Sequence, residues 1–341
     1  METMNIRMLI AASLTAMSFQ AAAQTVTLKV AHFLPAVAPA QQKVLQPWCD
    51  ALNKESRGRI ACQIYPSMQL GGTPPQLVDQ VRNGVADVVW TAPGYSAGRF
   101  PVIEALELPF VVTDAHTGSL AAWSFYEQHA QKEFDAFKVL AVHVDGGMAL
   151  HTSKRNIQGM SDITGLKLRA SGRMAAKTLA ALGGSPVAMP PAQMTEAISK
   201  GVVDGAMGAW ELVSPTKLDE VSRFHAEPAS GMPYPATTVL TMLMNRQKYD
   251  ALPADLKAII DRYSGPPLVA EFGRVWEEEA AASRAKVKSR GNTIHQFSTA
   301  EFDAMKRATA PVEADWIKSM NDRGLDGSAL AEAARDLAAR K

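Results

Sequence analysis

Two stretches far apart in the chain carry one pattern. Gln76–Asp87, QLVDQVRNGVAD, aligns without gaps on Gln193–Asp204, QMTEAISKGVVD, and an apolar segment follows each, VVW in the first case and GAMGAW in the second. Glutamine, an acid, a branched apolar residue, Gly-Val and a closing aspartate recur in register 117 positions apart. That period is far longer than the roughly 20–50 residues of a stacked-repeat solenoid, so the pattern predicts two lobes sharing one supersecondary unit. Two similar lobes imply a cleft between them.

The flanking segments set the class of each lobe. TLKVAHF predicts a strand, PAQQKVLQPWCDALNKES a helix and RIACQIYP a second strand. Thr73 before Pro74 is an N-cap with proline at the first helical position, and Gly84 closes the helix PPQLVDQVRNG ahead of the strand ADVVWTA. Strand, helix and strand in alternation predict a parallel α/β sheet. Past residue 237, TTVLTMLMN reads as a strand, a helix starts at Ala254 behind Pro253, and PPLVAEFGRVWEEEAAASRAKVKSRG reads as one long helix. About 23 helical residues would reach roughly 35 Å, enough to bridge both lobes. Ser298 with Glu301 forms a capping box for a further helix, and DGSALAEAARDLAAR is a last amphipathic one.

The start of the chain reads as an export signal. Arg7 precedes the apolar run MLIAASLTAMSF and an Ala-x-Ala site, which places cleavage after Ala23 and the mature protein in the periplasm. A run of about 12 apolar residues falls short of the roughly 20 that span a bilayer. Cys49 and Cys62 then enter an oxidising compartment, and a disulfide between them is expected. With 35 basic residues against 34 acidic ones and no basic run, nucleic acid is an improbable partner.

Catalytic chemistry finds little support. Gly94-Tyr95-Ser96-Ala97-Gly98 fits the G-x-S-x-G pattern of hydrolases, yet Pro101 would interrupt the helix that must follow the serine, and no oxyanion loop precedes it. The expectation is a glycine-rich loop with Tyr95 turned toward the cleft and Ser96 inert. The seven histidines are scattered without metal-ligand spacing, and no phosphate-cradling loop is present, so neither metal nor cofactor is expected. A cleft without a catalytic constellation points to a binding protein and not an enzyme. In DITGLKLRASGRMAAKTLAALGG, Arg169 ends a short strand just before a helix that begins near Gly172, where a guanidinium is suited to two-pronged capture of a carboxylate. Arg173, inside the first turn, is the weaker candidate.

Taken together, GRIACQIYPSMQLGG, VRNGVADVVW, GRFPVIEALELPF, GLKLRASG, LGGSPVAMP and KGVVDG resemble the solute-binding proteins of tripartite ATP-independent periplasmic (TRAP) transporters, of the dicarboxylate-receptor type. The resemblance implies an α/β, two-lobed periplasmic-binding-protein fold with interrupted domains and a long domain-spanning helix. It implies lobe I at 24–148 plus about 237–270, lobe II at 149–236 plus about 280–310, a bridging helix at about 267–290, and C-terminal helices over 311–341. Function would be that of an extracytoplasmic receptor, acting as a monomer, that closes on an organic acid and delivers it to a small and a large membrane subunit. Arg169 would be the main carboxylate ligand.

Departures from the family matter for the ligand. Where many relatives carry a second arginine this chain reads GGMALHT, so Ala149 or a neighbour replaces it and His151 is the polar group at hand; where many have Glu-Asn or Glu-Trp soon after VDG, this chain reads VDGAMGAWEL, with Trp210 and Glu211 later. One strong arginine neutralises one carboxylate, since a second without a partner would be costly to desolvate. Phe33, Trp90, Tyr95, Met207, Trp210 and Tyr234 are the candidate walls, and His32, His151 and Glu211 the candidate partners of a hydroxyl or keto oxygen beside the carboxylate. The expected ligand is a monocarboxylate with an aromatic or branched apolar body, a 2-hydroxy or 2-keto acid included, ahead of C4-dicarboxylates and sugar acids; the remote alternative is a secreted hydrolase using Ser96.

Overall fold

The computed structural model describes residues 25–340, and the export signal read over 1–23 lies outside the described residues. Strands β1 (Val26–His32), β2 (Ile60–Tyr65), β3 (Val88–Thr91) and β4 (Phe137–Val144) belong to a first sheet. The chain then enters a second sheet with β5 (Met148–Thr152), β6 (Lys167–Ala170), β7 (Ser185–Ala188), β8 (Gly205–Ala209) and β9 (Phe224–Pro228), returns to the first as β10 (Val239–Asn245), and ends in the second as β11 (Thr293–Phe297). The sheet orders are β2-β1-β3-β10-β4 and β11-β9-β5-β8-β6-β7.

The repeated sequence pattern is a repeated backbone unit. In the first sheet the Lys29 N–H donates to Asp87 Oδ2 at 2.8 Å, and the Asp87 N–H returns to the Lys29 carbonyl at 2.9 Å. In the second, the Lys167 N–H donates to Asp204 Oδ2 at 2.8 Å, and Asp204 returns a bond of 2.7 Å to Lys167. Each aspartate thus locks the start of one strand to its parallel neighbour, β1 to β3 and β6 to β8.

A purely parallel sheet was expected, and each sheet contains one reversed strand: β10 runs against β3 and β4, and β5 against β8 and β9. Both follow a direct crossing between lobes, at 145–147 and at 229–238. A strand entering from the other lobe without a crossover helix arrives at the opposite end of the sheet.

The third crossing is a helix. Pro266–Ser289 starts at two prolines after Gly265, whose φ is 66°, and puts Phe272, Val275 and Trp276 into the first lobe's core and Val287 into a core of the second. Lys43 pairs with Glu279 at the first lobe, while Lys286 and Arg290 pair with Asp219 and Arg284 with Glu227 at the second. The next helix, Thr299–Asn321, capped by Ser298, runs through Pro311 without a break, so no boundary falls at 310. It packs on Arg173–Ala181 of the second lobe and sends the Trp316 indole N–H to the Pro101 carbonyl of the first, at 3.1 Å.

The first helix also differs from expectation. Residues Ala40–Leu45 form a π-type turn that continues as an α-helix over Gln46–Glu55. Pro47 has no N–H to close the regular bond to Lys43, and the widened turn ahead of it accommodates that loss. Cys49 on this helix is bridged to Cys62 on β2.

Candidate functional site

A slot between the lobes opens at the carboxyl ends of the parallel strands, where open α/β sheets present their ligands. The first lobe lines it with Phe33 and Leu34 after β1, Trp90 at the end of β3, and Tyr95 in the short 3₁₀ turn Pro93–Tyr95. The second lobe supplies Arg169 and Ser171 from the end of β6, and Glu211 and Leu212 after β8. Asp145, Met148, Thr238 and Leu240 come from the crossings, and Trp276 from the bridging helix. The empty space within and at the mouth of this lining is about 470 Å³, and the nearly parallel rings of Phe33 and Trp90 form part of its wall. A wall of flat rings suits a flat body.

Arg169 is 1% exposed. Its Nε donates to the Met189 carbonyl at 3.1 Å and its Nη1 to the Met207 carbonyl at 3.2 Å, so the guanidinium is oriented by backbone and keeps donors available toward the slot. Burial lowers its pKa, and the neighbouring Tyr95 and Asp145 oppose that. Burial pushes the Tyr95 hydroxyl up to about 12. No second basic side chain lines the slot among the described residues.

Several acids sit close by in a state that burial dictates. Asp145 accepts the Gly147 N–H at 3.0 Å and is pushed up to about 6 by burial, against that bond and the charge of Arg169. Glu107 accepts the Val239 N–H at 2.9 Å and is pushed up to about 8 by burial and by Glu104, which keeps it neutral at pH 7. Glu211 is raised well above the carboxylate range by burial and by Asp145. A neutral acid is a hydrogen-bond donor as well as an acceptor.

The wall rings pack on one another. Phe33 stacks on Trp90 with centroids 4.9 Å apart and planes 9° apart, Tyr95 meets Phe33 edge-on at 5.5 Å, and Trp276 meets Trp90 edge-on at 6.0 Å. The Trp90 indole N–H is satisfied by His143 Nε2 at 3.0 Å, so the ring cannot turn into the slot without breaking that bond.

Of the ten residues expected at the ligand, five line the slot: Arg169, Phe33, Trp90, Tyr95 and Glu211. The other five do not. His32 is fully buried beside it, with Nε2 on Gln41 Oε1 at 2.8 Å, and burial lowers its pKa to about 4. His151 is paired instead with His225, Nδ1 to Nδ1 at 2.7 Å, and with the Gly208 carbonyl at 3.0 Å. Met207 contributes its carbonyl to Arg169, while its side chain lies in the core beside the second sheet. Trp210 and Tyr234 face a separate polar chamber, where both donate to Glu227 Oε2, at 2.7 and 3.0 Å, and the Arg284 guanidinium stands 5.0 Å over the Trp210 ring. Met207 lies within β8, whereas Trp210 begins the short 3₁₀ turn after it, and the two side chains enter different cores.

Asp145, Thr238 and Trp276 were missed. The first two meet because the crossings run side by side, the Asp145 N–H bonding the Thr238 carbonyl at 3.1 Å, a contact with no local sequence signal. Trp276 was visible only as an apolar position of the long helix. Arg173 is engaged by Glu104 across the mouth of the slot, and adjacent Gly172 has room for no more than ordinary contact with the Gly94 carbonyl, 3.4 Å from where a Cβ would stand. The lobes are thus in contact. Ser96 donates its hydroxyl to the Pro75 carbonyl at 3.2 Å, and no histidine is hydrogen-bonded to it among the described residues.

Comparison with known proteins gives this geometry a context. Residues 30–319 match DctP, bacterial extracellular solute-binding protein, family 7. The crystal structure of a TRAP solute binding protein from Rhodoferax ferrireducens T118, in complex with copurified benzoate, is 42% identical, with a TM-score of 0.90 over 92% of this chain and 98% of that one. A marine metagenome TRAP solute binding protein specific for aromatic acid ligands, in complex with 3-hydroxybenzoate, is 40% identical, with a TM-score of 0.90 and coverage of 92% and 98%. A TRAP periplasmic solute binding protein from Bordetella bronchiseptica with bound (R)- and (S)-mandelate is 28% identical, with a TM-score of 0.84 and coverage of 92% and 98%.

Proposed function

The chain belongs to bacterial extracellular solute-binding protein family 7, the solute receptors of TRAP transporters, and from that premise we propose that it captures an aromatic monocarboxylate. The observation that carries this reading is the slot itself: one buried, backbone-oriented guanidinium faces a space walled partly by rings, with no second cation among the described residues to neutralise another carboxylate. The carboxylate pairs with Arg169 and the flat body lies against Phe33, Trp90 and Tyr95. A sugar acid would have to leave several hydroxyls against apolar walls, and a dicarboxylate would bury an unpaired charge. Benzoate and 3-hydroxybenzoate in the relatives at 42% and 40% identity lend support.

In this reading the protein is exported with cleavage after Ala23, acts as a monomer in the periplasm, and hands the acid to the small and large membrane subunits. Calorimetric titration with benzoate, mandelate, a branched 2-hydroxy acid, succinate and glucuronate tests it. Aromatic acids are expected to bind, and a ligand at 100 times its Kd stabilises the fold by about 2.7 kcal/mol, which thermal unfolding registers independently. Tight binding of succinate or glucuronate alone overturns the reading.

A further inference from the structure

Capture of a carboxylate by Arg169 leaves one polar group of the slot without a role. Glu211 is 5% exposed and lines both the slot and the polar chamber behind it. Its carboxyl meets its own backbone N–H, and among the described residues no other residue is hydrogen-bonded to it. The surrounding groups are already engaged. Asp145 accepts from Gly147, Glu107 from Val239, and Arg284 is held by Glu227 and Tyr234. A carboxyl that lines the slot with idle donor and acceptor capacity is open to a polar group of whatever enters it.

The position of Glu211 decides which part of a ligand it can meet. Arg169 is fixed by the Met207 carbonyl on β8, and Glu211 lies four residues farther along the chain, past the end of that strand. Glu211 also lines the polar chamber together with Trp276, Glu277 and Arg284 of the bridging helix, a chamber that Arg169 does not line. Arg169 therefore holds one end of the slot and Glu211 the wall toward the bridging helix. A hydroxyl next to the ligand carboxylate would stay with Tyr95 and Asp145; only one carried farther out reaches Glu211. A hydroxyl both donates and accepts, which matches a neutral carboxyl.

We infer that Glu211 is the specificity-determining residue for a hydroxyl on the ring of an aromatic acid, so that hydroxybenzoate-like ligands are preferred over plain benzoates and over 2-hydroxy acids. This inference rests on the aromatic-acid reading above. The test is calorimetric titration of the exported chain with benzoate, 3-hydroxybenzoate, 4-hydroxybenzoate, 3-methylbenzoate and mandelate, for the unaltered protein and for Glu211→Gln and Glu211→Leu. One of the hydroxybenzoates is expected to bind roughly fivefold to tenfold more tightly than benzoate, the worth of one neutral hydrogen bond, and 3-methylbenzoate is expected to gain no such advantage. Glu211→Leu brings the hydroxybenzoate-to-benzoate ratio to near one, and Glu211→Gln, which still donates and accepts, keeps part of it. A ratio that survives Glu211→Leu, mandelate as the preferred ligand, or benzoate binding with no hydroxyl preference in the unaltered protein overturns the inference and leaves the aromatic-acid reading standing. If no aromatic acid binds, both fall. Should Glu211→Leu fail to fold, Glu211→Gln decides, and a hydroxybenzoate-to-benzoate ratio unchanged in that variant overturns the inference.

Discussion

The two lobes build the same lysine–aspartate bridge and then put different side chains on it. Two residues past Lys29, Ala31 pairs with Val89; two residues past Lys167, Arg169 pairs with Ala206. Arg169 thus occupies the place of Ala31 in the other lobe. The strands beside them diverge in the same way, Val88-Val89-Trp90 in the first lobe against Gly205-Ala206-Met207 in the second. One backbone unit makes an apolar wall on one side of the cleft and a charged handle on the other. In the proposed function an anion is therefore met asymmetrically, with rings from the first lobe and the cation from the second.

The sharpest way to break this comparison is to make the second lobe like the first. Arg169→Ala restores the residue type of position 31 and removes the handle; the expected loss of affinity is about 3 to 5 kcal/mol, roughly a hundredfold or more in Kd, read by calorimetry with benzoate. Arg169→Lys keeps the charge but not the fork or both carbonyl bonds, and is expected to fall in between. An alanine variant that binds as well as the unaltered protein would show that the handle is elsewhere.

Next comes the crosslink, which only the first lobe has among the described residues. Replacing Cys49 and Cys62 by alanine and serine frees a loop of 13 residues, and the expected cost is about 3 kcal/mol in the chain-entropy view. Hydrogen exchange should show the loss concentrated in β1, β2 and the helix Gln46–Glu55, with the second sheet little changed.

The paired aspartates sharpen the comparison further. Asp87 is 6% exposed, whereas Asp204 is exposed at the surface. Asp87→Ala strands buried backbone donors and is expected to cost about 1 to 3 kcal/mol of stability, and Asp204→Ala less, because water can replace its carboxylate. Denaturant unfolding of the two variants measures the difference; equal costs would mean that burial does not separate them.

Acidity gives the smallest effect. Burial pushes Glu107 up to about 8 and Glu133 up to about 7, against an ordinary value near 4.5. A folded state that binds these protons more tightly than the unfolded chain is favoured at low pH, and that contribution is lost as pH rises from about 4.5 through 7 and 8. Glu107→Gln removes its share of this contribution, so the ligand-free variant is expected to lose less stability between pH 5.5 and pH 8 than the unaltered protein, read by thermal unfolding.

Local chemistry made much of this fold readable. The echo at Gln76 and Gln193, the N-cap at Thr73, the capping box at Ser298, and the prolines before Ala254 and at 266–267 act within a few residues of themselves, and each stands where the pattern put it. Arg169 was legible as the end of a strand facing a helix start. The faces of β5 and β8 were not: His151 turned to His225, 74 residues away, and Trp210 to Glu227 and Arg284, because those partners come from other strands and from the bridging helix.

From the sequence alone came two related α/β units, a long connecting helix and a strand-end arginine, because periodicity, capping and strand chemistry are properties of neighbouring residues. Tertiary structure alone decided that β5 and β10 run backward, that Asp145 and Thr238 close one end of the slot, and that Glu211 lines it while Tyr234 does not. Those outcomes depend on which crossings lie side by side and which face each strand turns inward, and both are settled only when the two lobes pack against each other and the helix between them.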